Sequence, residues 1–139
     1  MIFLDTNVFV YARTESHYRE GSVSLLDAVA EDPALAATST AVLEELWHLE
    51  LSRRIHGLTG ATEAAYTLTR PVLAVTDEIF ELALSLPASK LGANDRLHVA
   101  TCLTHGIDVI VTADRAFDEA EPLRRIDPAD VPAVRALLP

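Results

Sequence analysis

Short apolar runs alternate along this chain with longer stretches whose apolar residues recur every three or four positions. The first run, Ile2-Phe3-Leu4, breaks off at Asp5. A run this short, with no polar residue alternating in it, reads as a strand buried on both faces of a parallel sheet. Leu35–Thr38, Val72–Val75, Ile107–Thr112 and Leu123–Ile126 are further strand candidates. Between them the spacing predicts helices. A short one follows Asn7, and another covers 18–31 with Val23, Leu25, Leu26 and Val29 on its apolar face. The clearest covers 40–56, where Val42, Leu43, Leu46, Trp47 and Leu49 form a stripe. More follow over 60–68, from Thr76 towards Pro87, from Asn94 to His105, and over 131–138.

The punctuation agrees. Asp32-Pro33 and Arg70-Pro71 end helices, and Thr76 and Asn94 are N-cap candidates. Gly57 and Gly106 stand where left-handed C-cap residues belong. Strands alternating with helices predict an α/β fold: three layers, α/β/α, around a central parallel sheet of four to five strands. Right-handed crossovers restrict the topology class but leave the strand order open. Nothing in 1–139 reads as a linker or repeat, so a single domain is expected.

Composition narrows the class. Half of the 139 residues are hydrophobic, enough for a core. No apolar run approaches the roughly 18 residues of a membrane span, and the start runs straight into Asp5 without a signal-peptide pattern. A cytoplasmic protein is expected, with no membrane partner. The single Cys102, among Val99, Ala100 and Leu103, reads as core. The formal net charge of −10 argues against non-specific nucleic-acid binding. It does not exclude a nuclease, since acids that hold a divalent ion count as negative until the ion is bound.

Asp5 is placed where a strand leaves the core, at the edge where open α/β sheets bind ligands. A helix of about ten residues from Asp95 travels roughly 15 Å away from that edge. The strand over 107–112 returns by roughly 20 Å, bringing Asp114 back to it. Glu45 lies less than two turns into its helix and nearer the apolar stripe than Glu44, so it can lean over the same edge. Two carboxylates about 5 Å apart repel by roughly 3 kcal/mol at an effective dielectric near 20. Such a cluster either takes up protons or holds a hard divalent ion. Oxygen donors suit magnesium or manganese. His17, His48, His56, His98 and His105 show no paired zinc spacing.

Asp5-Thr6-Asn7-Val8, the stretch Ser39–Leu46, Asp95-Arg96-Leu97-His98-Val99-Ala100 and Thr112–Asp118 together resemble the PIN-domain ribonucleases, in particular the toxins of VapBC-type toxin–antitoxin pairs. The likeness spans essentially the whole chain. It implies a PIN-like fold and a magnesium- or manganese-dependent endoribonuclease that hydrolyses RNA with a metal-activated water. It also implies a small inhibitory antitoxin and a homodimer. Asp5 and Asp95 would be the principal metal ligands, with Glu45 and Asp114 completing the quartet and Asp114 also near the metal. Glu45 is taken over Glu44 because the family's acid directly precedes an apolar residue.

Supporting roles follow. Asn7 either holds a metal-bound water or caps its helix; Thr112 orients Asp95 or the adjacent turn. Lys90, Arg96 and Arg115 are candidate contacts to RNA phosphate, and His98, one turn after Asp95, either serves in catalysis or is a partly buried structural residue. Two other functions are compatible with parts of the pattern: a haloacid-dehalogenase-like phosphatase, which needs Asp where this chain has Asn7, and an acidic module that binds a basic partner without catalysis.

Overall fold

The computed structural model describes residues 1–87 and 90–139. Its centre is a four-stranded, all-parallel sheet of β1 (Ile2–Leu4), β2 (Ala36–Ala37), β3 (Val109–Val111) and β4 (Arg124–Ile126), in the order β2-β1-β3-β4. The chain moves from β1 to one side for β2, then crosses to the other side for β3 and β4. The crevice between β1 and β3 is therefore the point where the strand order reverses. Leu4 pairs with Val111, so Asp5 and Thr112 emerge side by side beyond the carboxyl ends of these strands.

Helices α1 (Thr6–Ala12), α2 (Arg19–Glu31), α3 (Thr40–Ser52), α4 (Ala61–Thr69), α5 (Asp77–Ser85), α6 (Ala93–Thr104) and α7 (Val131–Arg135) flank the sheet. The main core includes Phe3, Leu4, Val8, Leu25, Leu46, Ile110 and Phe117. No described helix is long and apolar enough to cross a membrane.

Three local readings are corrected. The Val72–Val75 strand is reduced to a single parallel bridge between Ser39 and Leu73. Leu73 exchanges hydrogen bonds with Thr38 and Thr40, and Pro71 just before it has no N–H to extend the ladder. Helix α3 stops at Ser52, not near 56. The Ser52 hydroxyl donates to the Leu49 carbonyl and accepts from the Arg54 N–H, displacing the next helical turn, and Arg53 takes the left-handed cap position. Gly57 serves a separate turn at φ 90°, where a Cβ would come within 2.9 Å of the Arg13 carbonyl oxygen. Finally, α6 is capped by Gly92 and not by Asn94, with Asp95 at its third position. On α3, Val42, Leu43 and Leu46 are buried, whereas Trp47 is 56% exposed.

Candidate active site

Asp5 is the N-cap of α1. Its Oδ1 accepts from the Thr6 N–H at 2.7 Å, and its Oδ2 accepts from Asn7 Nδ2 at 2.8 Å and from the Thr112 hydroxyl at 2.6 Å. Thr112 is fully buried and uses its whole hydrogen-bonding capacity: besides donating to Asp5 it accepts from Asn7 Nδ2 at 2.8 Å and the Asp114 N–H at 3.1 Å. The Asn7 carbonyl oxygen accepts from the Ala113 N–H at 3.2 Å. Asn7 and Thr112 therefore clamp the end of β1 to the turn after β3. Thr112 acts on Asp5 and on the turn to Asp114, and not on Asp95.

Thr112→Val keeps the shape and removes all three hydrogen bonds, leaving the buried Asp5 oxygen one donor short. Urea unfolding is expected to show a loss of about 1–3 kcal/mol. A variant as stable as the parent would show that the clamp does not order the site.

Asp5, Glu45, Asp95 and Asp114 line one cleft of about 310 Å³ together with Thr6, Asn7, Tyr11 and Ile55. They come from four different places: the end of β1, α3, the first turn of α6 and the turn after β3. Glu45 faces the cleft, where Thr6 Oγ1 donates to its Oε2 at 2.9 Å, whereas Glu44 is exposed and not among the cleft residues. Asp95 Oδ2 accepts from the Gly92 N–H at 3.2 Å. Asp114 is exposed at the rim and caps a 3-10 turn through Ala116 N–H.

Two further side chains stand against these acids. Thr6 holds Glu45, and its only sequence signal was its position directly after a strand-end acid. His98 is fully buried one turn beyond Asp95, with Nε2 3.5 Å from Glu45 Oε2 and 3.8 Å from Asp5 Oδ1. The i,i+3 spacing from Asp95 was the available signal.

The electrostatics follow from these positions. Burial pushes the Asp5 carboxyl above its usual range, opposed by the charge of His98 and by the hydrogen bonds from Thr112 and Thr6. Burial likewise raises Asp95, against the Gly92 N–H and His98 and in concert with the charges of Asp114 and Glu45. Glu45 is lowered, first by His98 beside it, with Thr6 adding to the effect. The His98–Glu45 separation is long, and neither ring nitrogen makes a well-directed hydrogen bond to a described residue. Burial drives the Cys102 thiol up to about 12, which fits its core role and not a nucleophile's.

The basic candidates are less close to the acids. Arg96, expected to contact phosphate, donates instead to the carbonyls of Leu91 at 3.2 Å and Leu86 at 2.9 Å, because its stem points to the loop before α6. Lys90 pairs with Glu119 at 3.0 Å on the surface. Arg115 is exposed, directly after Asp114. Oxygen donors converging on one cleft, with the buried imidazole of His98 behind Asp5 and Glu45, suit a divalent cation.

Comparison with known proteins adds an independent line. The PIN domain family model matches residues 2–122. Ribonuclease VapC23 of Mycobacterium tuberculosis is 30% identical over 126 residues, which cover 86% of this chain and 98% of that protein. The structure of FitAB bound to a DNA fragment superposes with a TM-score of 0.73 at 18% identity, covering 93% of this chain and 96% of the other. VapC20 of Mycobacterium tuberculosis, described as a sarcin-ricin loop cleaving toxin, superposes with a TM-score of 0.68 at 24% identity, covering 87% and 95%. At these identities the two structures establish likeness of fold.

Proposed function

Since the chain belongs to the PIN-domain family, we propose that it is a metal-dependent endoribonuclease, the toxic half of a toxin–antitoxin pair. The observation that carries this reading is the convergence of Asp5, Glu45, Asp95 and Asp114, from separate elements, on one cleft at the reversal of strand order.

Asp5 and Asp95 would hold the ion, with Asp114 beside them and Glu45 completing the set; magnesium or manganese is the ion their oxygens favour. When bound, it neutralises charge on a phosphoryl oxygen and lowers the pKa of water. The residues of the chain do the rest. Thr112 and Asn7 fix the Asp5 carboxylate so that it does not swing away from the cleft. Thr6 aims Glu45. Asp114, the acid most open to solvent, would take the proton of the attacking water, and Arg115 beside it would meet a backbone phosphate. In-line attack leaves a 5′-phosphate.

A small antitoxin and a homodimer belong to the same proposal, as does action on cytoplasmic RNA. The exposed apolar side chains Trp47, Leu51, Phe80 and Leu84 offer surface for protein partners. A phosphatase using Asp5 as nucleophile is not favoured, because all three hydrogen bonds accepted by its oxygens tie it into the scaffold.

The test is cleavage of total cellular RNA by purified protein stripped of metal with a chelator. Cleavage absent after stripping and restored by millimolar magnesium or manganese is expected. Cleavage that persists unchanged in excess chelator would remove the metal from the mechanism, and no cleavage under any condition would return the chain to a binding role.

A further inference from the structure

The acids do not account for everything around the cleft. His98 has no exposed surface, and neither of its ring nitrogens has a hydrogen-bond partner among the described residues. Leaving such a group buried and unpaired is costly, so its place calls for an explanation. The ring is held by packing, with the Phe3 ring 5.8 Å away. It stands on the same face of α6 as Asp95, three residues on. Its Nε2 is aimed between Asp5 Oδ1 and Glu45 Oε2, at 3.8 and 3.5 Å. One donor atom from each of the three residues lies within 4.8 Å of the others. Two donors each bonded at about 2.1 Å to one ion can stand at most about 4.2 Å apart. Both nitrogen–oxygen separations fall inside that limit.

We propose that His98 Nε2 is a metal ligand, and that Asp5, Glu45 and His98 form a mixed oxygen–nitrogen site selecting manganese over magnesium. The inference rests on the metal-dependent reading above and deepens it by naming the ion. The chemistry is that of donor preference: an imidazole nitrogen binds first-row transition ions well, whereas magnesium favours carboxylates and water. A purely carboxylate site has no such reason to discriminate.

The competing role for His98 is that of a cationic counter-ion between two carboxylates. Pulsed electron paramagnetic resonance on the manganese-loaded full-length protein separates the two, because a directly bound nitrogen couples to the electron spin. A nitrogen coupling is expected, and it should change when histidine is labelled with nitrogen-15. In His98→Gln, checked for folding by near-ultraviolet circular dichroism, the coupling should vanish. Manganese affinity should fall by at least about tenfold while magnesium affinity changes far less.

Bound manganese without nitrogen coupling in the parent protein would overturn the proposal whether or not the variant folds. So would a failure to bind manganese, or an equal loss of both ions' affinities in His98→Gln. The RNA assay keeps the two readings apart. Magnesium-supported cleavage without nitrogen coupling sinks this inference and leaves the nuclease intact. Nitrogen coupling without cleavage of any RNA sustains the metal site and sinks the nuclease.

Discussion

Asp95→Asn is expected to abolish metal-stimulated RNA cleavage while leaving the protein folded. The loss should reach about a hundredfold or more, since even residues that merely support metal ligands cost 10–100-fold when changed. The fold should survive because, among the described residues, the Asp95 side chain accepts from the Gly92 N–H, and the amide oxygen of Asn can accept it too. Removing the charge also relieves the repulsion from Asp114 and Glu45.

Asp5 and Asp95 both hold their protons to higher pH in the folded protein than an ordinary aspartate does, near 3.8. The folded state thus binds more protons than the unfolded one. Their stabilising contribution is full below that value and is lost as pH rises through the raised one. Metal-free parent protein should accordingly lose stability with rising pH in that window, and Asp95→Asn should lose less. Bound metal works in the other direction, stabilising in proportion to RT ln(1 + [L]/Kd). The thermal shift on adding manganese or magnesium should therefore shrink in the variant. The measurements are cleavage rate and thermal unfolding with and without metal. Wild-type cleavage by Asp95→Asn would take this residue out of the site.

The second large effect concerns stability alone. Gly21 lies inside α2, where helix propensity favours alanine by about 1 kcal/mol. Tertiary structure reverses the sign. A Cβ at Gly21 would collide with the Pro128 carbonyl oxygen and stand 3.4 Å from Val134 Cγ2 of α7. The obstacle is backbone, so no rotamer change relieves it. Overpacking of this kind typically costs about 1–3 kcal/mol. Because the contact is with main chain, Gly21→Ala should fall at the upper end and lower the melting temperature by roughly 10 °C. A variant that melts at or above the parent temperature would show that α7 and the turn before it can retreat from α2 at little cost.

How far the amino-acid pattern carried the reading varies by element. β1 and α5 were legible because each is a local matter: an apolar run ending in an acid, and a threonine cap followed by two acids. The end of α3 was not, because the Ser52 hydroxyl competes for backbone groups that a propensity argument hands to the helix. The Val72–Val75 run was apolar enough for a strand, yet strand formation depends on a partner's register, which hydrophobicity does not encode.

At the cleft, the meeting of Asp5, Asp95 and Asp114 was legible because strand and helix lengths return the chain to one edge, whereas Glu45 was chosen over Glu44 with the help of the family resemblance. Their supports were not legible. That β1 and β3 are neighbours is a property of strand order, and it alone puts the Thr112 hydroxyl 2.6 Å from Asp5. The same holds for His98, whose ring meets Phe3 and Asp5 from a helix far along the chain, and for Arg96, drawn to carbonyls of its own loop. One-dimensional periodicity therefore determined which layers exist and which acids leave them at the active edge. Which groups touch those acids was decided by contacts between residues as far as 107 positions apart, set by long-range packing that no local pattern contains.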